Sequence, residues 1–314
     1  MKKLIATIAC VALPVCGILH ASEPPEILDR PAAAYADFLK DSVAPYREWR
    51  EFRPYTTDEY VNGMSKRMSP KAITKRDREV ADNGYALAAN NLGTRYAEGA
   101  GVEKDPVEAA KWFLKAAEQG ELRAQFNLGM LYSSNEDIKD SAKAAEWYRK
   151  AAESGDAWSQ FNLGLMYAHG EGVPQNSAEA IEWYRKAAEQ RASHAQCILG
   201  QIYSQGQSVP QDLVEAAGWY RKAAELGNTG AQWALALSYA RGDGVARDPV
   251  EAAKWYLIVA EKRDKYAQYN LAELYRRGDG VEQDRAEAIR WYKRAAYQCL
   301  PEAEKRLAAM GVTD

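Results

Sequence analysis

The chain has 314 residues, 47% of them hydrophobic and 27% charged, with a formal net charge of −3. That composition can build a core and is too apolar for a disordered chain, and its mixed charges exclude the basic surface of a nucleic-acid-binding protein. The length would hold two ordinary domains of ~150 residues each, but an internal period overrides that count. Trp112, Trp147, Trp183, Trp219, Trp255 and Trp291 follow one another at 35 residues once and then at 36 four times, the signature of a stacked repeat array.

The chain opens with Met1-Lys2-Lys3, an apolar run from Leu4 to Leu19, and Leu19-His20-Ala21 ahead of the polar Ser22-Glu23-Pro24-Pro25. Residues 1–21 therefore read as a secretory signal cleaved after Ala21. The run is short for a bilayer and contains Pro14, so no stable membrane insertion is expected after cleavage. Lipidation at Cys16 is the weaker alternative, because Val15 stands where bacterial lipoproteins usually carry a small residue. The expected location is the periplasm of a Gram-negative bacterium. Cys10 and Cys16 leave with the signal, and the remaining Cys197 and Cys299 lie in different repeats. That places them beyond the ~4.4–6.8 Å Cα separation of a disulfide, so two free thiols are expected.

Residues 22–68 do not follow the period. After Pro24, Pro25 and Pro31, the stretch Ala32 to Val43 reads as a short helix with Tyr35, Phe38 and Leu39 on one side, ended by Pro45. Tyr46-Arg47-Glu48-Trp49-Arg50-Glu51-Phe52-Arg53-Pro54-Tyr55 is dense in aromatics and arginine, types enriched at protein interfaces. This extension is expected to cap the first repeat, since the ends of an array need covering.

Residues 69–300 carry the repeats, beginning with a half repeat in which Ser69 is a helix N-cap and Pro70 the first helical residue. Each full repeat predicts two helices. In the first, as in Ala124-Gln125-Phe126-Asn127-Leu128-Gly129-Met130-Leu131-Tyr132, Ala124, Leu128, Leu131 and Tyr132 share one face. Gly129 and its counterparts Gly93, Gly164, Gly200, Ala236 and Ala272 are all small, which predicts a close approach by another helix. Gly170-Glu171-Gly172-Val173 and Gly242-Asp243-Gly244-Val245 recur after a helix, not a strand, and read as turns with no phosphate to cradle.

The second helix starts at Asp105, Asp140, Asn176, Asp212, Asp248 or Asp284. Three residues on, Glu108, Glu179, Glu215, Glu251 and Glu287 predict a reciprocal capping box. The second repeat departs from this with Lys143, and its glycine-free Ser133 to Ile138 loop is one residue short, which predicts a different loop shape. Lys111, Glu146, Glu182, Lys254 and Arg290 point outward on a solvated convex wall. The second helices thus read as uniform support that encodes no partner. Residues 301–314, with Pro301 to Leu307 in register, predict a closing helix.

Asn-Leu-Gly-x-x-Tyr, Gly-x-Gly-Val, Asp-x-x-Glu-Ala-x-x-Trp-Tyr and Lys-Ala-Ala-Glu-x-Gly, over about residues 70 to 310, resemble the Sel-one-like repeat family, a relative of the tetratricopeptide repeats. The resemblance implies an all-α fold: a right-handed α-solenoid of about six 36-residue helix-pair repeats with helical caps, acting as an adaptor for other proteins. Relatives of this kind include envelope scaffolds, signalling regulators and immunity proteins. Cysteine-rich relatives linked to β-lactams carry paired cysteines in each repeat, which this chain lacks.

No Gly-x-Ser-x-Gly, no phosphate loop and no paired histidines occur. His169, in a loop, and His194, near a helix start, are expected to be surface residues. No metal, no cofactor and no enzymatic activity are expected. Partner binding is assigned to the side of the first helices opposite Leu128 and Tyr132. The pairs there are Asn90/Thr94, Phe126/Met130, Phe161/Leu165, Cys197/Gln201, Trp233/Leu237 and Tyr269/Glu273. Phe126, Met130, Phe161, Leu165, Trp233, Leu237 and Tyr269 are the candidate anchors of a concave groove, with packing between helices as the alternative. The expected function is an exported non-enzymatic scaffold for a protein partner. One alternative is a periplasmic immunity protein against a secreted antibacterial effector such as a phospholipase. Another is a β-lactam-binding or hydrolysing enzyme, for which no nucleophile with a neighbouring base can be named.

Overall fold

A computed structural model describes residues 69–206 and 208–312, and these form fourteen α-helices with no strand among them. The expected signal and the extension over residues 22–68 lie outside the described residues. Two compact units result, residues 69–195 and 196–312. The first holds α1 (Pro70–Asp82), α2 (Ala86–Glu98), α3 (Pro106–Ala117), α4 (Leu122–Ser134), α5 (Ser141–Glu153), α6 (Ala157–His169) and α7 (Ser177–Glu189). The boundary falls within α8 (Ser193–Gln205). The second continues with α9 (Leu213–Glu225), α10 (Thr229–Arg241), α11 (Pro249–Glu261), α12 (Lys265–Arg277), α13 (Arg285–Tyr297) and α14 (Pro301–Ala309). From α1 to α7, and again from α9 to α14, each helix packs on the next in sequence. The chain is thus an α-solenoid of consecutive helix pairs.

The helix starts follow from local chemistry. Ser69 caps α1 with Pro70 behind it. Asp105 Oδ1 accepts from the backbone N–H of Val107 and Glu108 at 3.0 and 2.9 Å, and the other five second helices are capped in the same way. The reciprocal half of the expected capping box does not form. Each N-cap residue donates its own N–H to the tyrosine carbonyl of the preceding helix, as Asp105 does to Tyr96 and Asn176 to Tyr167, at 2.9 and 2.8 Å. That leaves the glutamate carboxylates free for other donors: Trp112 Nε1 reaches Glu108 at 3.0 Å and Trp219 Nε1 reaches Glu215 at 2.8 Å. Near a helix N-terminus, their charge remains favourable.

The loop glycines have two jobs. Gly170 ends α6 at φ 70°, whereas a Cβ on Gly172 would lie 2.0 Å from the Ser141 carbonyl oxygen, so the loop rests directly on the start of α5. Ser208 takes the equivalent place before α9 at φ 61°. The glycine-free loop does differ, as expected: α4 ends at Asn135 in an extended conformation, and Ser133 and Ser134 donate their hydroxyls to the Met130 carbonyl.

Leu92, Leu128 and Leu163 in the first unit and Leu199, Leu235 and Leu271 in the second are fully buried. The close approach expected at the small residues comes from the ring after each repeat tryptophan. A Cβ on Gly129 would meet the Tyr148 ring at 2.8 Å, and one on Gly164 the Tyr184 ring at 2.7 Å. Burying a whole aromatic ring outweighs the ~1 kcal/mol that glycine costs in a helix. Burial also pushes the Tyr148 and Tyr184 phenol pKa values up.

Two recurring ties join neighbouring helices, and a third contact braces second helices from within. Gln125, Gln160, Gln232 and Gln268 donate Nε2 to the carbonyls of Ala117, Ala152, Ala224 and Ala260, satisfying acceptors that a helix end leaves open. Lys150, Lys186 and Lys222 lie 3.8, 3.8 and 4.0 Å over Trp147, Trp183 and Trp219. Finally, Arg149 sits 5.8 Å from the Tyr167 ring centroid and donates Nη2 to its hydroxyl at 2.6 Å.

Candidate functional site

The first-helix positions assigned to partner binding are mostly packed. Phe126, Phe161, Trp233 and Tyr269 are 6%, 4%, 5% and 3% exposed, and Met130 is also buried. Phe126 packs tilted on Tyr148 with ring centroids 5.8 Å apart and Phe161 on Tyr184 at 5.9 Å, while Tyr269 meets Tyr292 edge-on at 5.4 Å. The expectation of free aromatic anchors is corrected here. The glycine or alanine three residues along admits the tyrosine of the second helix, and the first-helix aromatic closes over the same ring. Leu165 and Leu237 keep part of their side chains exposed. Asn90 accepts from Asn127 Nδ2 at 2.8 Å, joining α2 to α4.

Glu273 is fully buried. Its Oε2 accepts from Arg276 Nη2 at 2.7 Å and Arg277 Nε at 3.2 Å, and its Oε1 pairs with Arg306 Nε at 2.8 Å and takes the Tyr292 hydroxyl. Arg306 belongs to α14, so this cluster locks the last helix onto α12 and α13. Burial first, and then the hydrogen bond to Glu273 for Tyr292 and the Glu273 charge for Tyr269, push the two phenol pKa values up. No carboxylate oxygen of Glu273 is left for a partner.

Cys197 and Cys299 are both free thiols, as expected. Burial pushes the Cys197 thiol up to about 12, which keeps it protonated and unreactive. His169 is exposed at the end of α6. His194 is not a simple surface residue: it lies half-buried, 5.7 Å from the Trp158 ring and 6.1 Å from Phe161, and burial lowers its pKa. Among the described residues no group of three or more His, Cys, Asp or Glu side chains could hold a metal ion.

A second departure lies on α11. Where α5, α7 and α9 carry Arg149-Lys150, Arg185-Lys186 and Arg221-Lys222, α11 carries Leu257-Ile258, 36% and 38% exposed. The second helices are therefore not uniform, contrary to expectation. The signal was present in the register and could have been found by comparing the helices position by position.

Helix pairs in one register, tied by recurring hydrogen bonds and rings, define a helical-repeat protein suited to contact with other proteins. A model of the Sel1 repeat matches residues 86–121, 122–156, 159–191, 193–228, 229–264 and 265–298, and the chain belongs to the Sel1 repeat family. Among solved structures it is similar to a protective antigen present in uropathogenic Escherichia coli strains displaying an SLR fold. The identity is 39% over 76% of this chain, with a TM-score of 0.71, and the match spans 51% of that longer protein. A Sel1 repeat protein from Oxalobacter formigenes is 35% identical over 77% of this chain and 93% of its own, with a TM-score of 0.58. An immunity protein from Pseudomonas aeruginosa is 19% identical over 62% of this chain and 75% of its own. Its TM-score of 0.40 is too low to bear on the choice of partner. None of the curated proteins compared with the chain matches it.

Proposed function

We propose that the chain is an exported, non-enzymatic scaffold that binds a protein partner through the faces of its first helices, in the periplasm of a Gram-negative bacterium. The observation that carries this reading is the run of six Sel1 repeats over residues 86–298, whose acidic residues largely serve as helix caps and ion pairs. The signal-like residues 1–21 support export. So does a 39% identical relative described as a protective antigen. Leu165 and Leu237 are the residues to test, because they alone among the aliphatic candidates keep exposed surface.

The experiment is purification of the tagged full chain from periplasm, beside a Leu165→Glu/Leu237→Glu variant, with bound proteins identified by mass spectrometry. A partner retained by wild type and lost from the variant, at unchanged far-ultraviolet circular dichroism, is expected. An identical protein set in both, or a chain kept in the cytoplasm with its first 21 residues intact, contradicts the proposal. A deletion strain and an overexpressing strain decide the narrower immunity reading: sensitivity to a periplasmic effector that neither alters would end it.

A further inference from the structure

Within residues 196–312 the arginine–tyrosine tie forms once and fails once. Arg221 of α9 lies 5.9 Å from the Tyr239 ring centroid and donates Nη2 to its hydroxyl at 2.9 Å. In the same register one repeat on, Leu257 of α11 stands beside Tyr275 of α12. Among the described residues no lysine or arginine covers the Tyr275 ring.

The other unit shows what this register accepts. Arg78 and Arg149 lie over Tyr96 and Tyr167 and donate to their hydroxyls. Where Leu114 removes the arginine, Lys143 covers Tyr132 instead at 5.4 Å, from the place that other repeats give to glutamate. At α13 that place is again a glutamate, Glu287. Neither route supplies Tyr275 with a cation.

What Tyr275 has instead is a cleft of about 560 Å³, lined by Leu257, Tyr275, Glu282, Asp284, Glu287 and Trp291. Glu282 stands where the three preceding loops carry Pro174, Pro210 and Ala246 and where the first carries Glu103, but Glu103 shares its cleft with Arg78, and among the described residues Glu282 has no such arginine beside it. Asp284 caps α13 through Oδ1 and Glu287 pairs with Arg290 at 2.9 Å. Glu282 makes no ion pair among the described residues. Arg294 lies over Trp291 at 4.4 Å. The exposed Leu257 adds an apolar side that can take the methylene stem of a long cationic residue.

We propose that this cleft seats an arginine side chain carried by the protein partner. The guanidinium lies over Tyr275 and donates to its hydroxyl and to Glu282, with its stem along Leu257. Arginine is the occupant because its planar fork can stack on a ring and donate at the edge at once, as Arg221 does, whereas an ammonium is a point donor. The inference rests on the reading of the chain as a protein-binding scaffold and names one chemical requirement of the partner.

The test is a titration of the isotopically labelled full chain, followed by nuclear magnetic resonance, with N-acetyl-Gly-Arg-Gly-amide and its lysine and citrulline counterparts. Saturable shifts of the Trp291 indole N–H are expected with the arginine peptide, at least threefold weaker binding with lysine, and none with citrulline. Leu257→Arg fills the seat from within and is expected to abolish the shifts. Should that variant fold poorly, Glu282→Gln at the exposed rim is expected to weaken binding several-fold with the rest of the spectrum unchanged. No saturable shift in wild type, equal binding of any two peptides, or undiminished binding by both variants overturns the proposal. The titration needs no partner protein. Peptide binding without a co-purifying partner contradicts the scaffold reading alone, and a partner retained without peptide binding contradicts the seat alone.

Discussion

Helices α9 and α11 occupy the same place in successive repeats and differ at five positions, three of them adjacent, Arg221-Lys222-Ala223 against Leu257-Ile258-Val259. In α9 the two cations are used within the array, Arg221 on Tyr239 and Lys222 on Trp219. In α11 the inward position stays apolar, with Val259 fully buried, while the two outward positions become exposed aliphatic surface. The helix keeps what packing demands and gives up one contact to its neighbour and one within itself. That separates the residues that hold the array together from those left for another molecule.

The largest effect that isolates this comparison comes from the lock beside it. Glu273→Ala leaves three arginines without their shared carboxylate, and urea denaturation is expected to show a loss of about 3–5 kcal/mol. Hydrogen exchange should show α14 loosening first, because Arg306 is its tether. A loss under ~1 kcal/mol would mean that the cluster is a surface network. Arg221→Leu copies the α11 pattern onto α9, with an expected cost of about 1 kcal/mol from the lost ring contact and hydrogen bond. An unchanged urea midpoint would show that the tie contributes nothing. Conversely, Ile258→Lys should place a cation over Trp255 and raise the stability by about 0.5 kcal/mol, which a thermal melt beside wild type can check. The smallest effect lies in the loop leading into α9: Ser208→Gly relieves a left-handed backbone and should gain a few tenths of a kcal/mol, about the resolution of paired melts.

Much of this fold was legible because its rules are local and repeat. The caps at Asp105 and its counterparts, the turn glycines and the close approach at Gly129 each follow from residues within one period. The features that escaped depend on contacts between helices. The capping box lost its second half because the Asp105 amide bonds the Tyr96 carbonyl of another helix. An aromatic at helical spacing does not reveal whether a neighbouring ring covers it, so Phe161 and Trp233 read as groove while the structure buries them. Glu273 looked like a groove residue because Arg306 comes from the closing helix, outside its own repeat. Leu257 and Ile258 were readable in register, yet their meaning depended on knowing that Arg221 and Lys222 lie over rings.

The most direct measurement of the central claim, that α11 is released from the ties of the array without loss to its core, is urea denaturation of the Leu257→Arg/Ile258→Lys double variant. The account predicts a midpoint at or above that of wild type, with full helicity retained. A midpoint lowered by an equivalent of ~1 kcal/mol or more would show that Leu257 and Ile258 belong to the packing, as the removal of buried aliphatic side chains does.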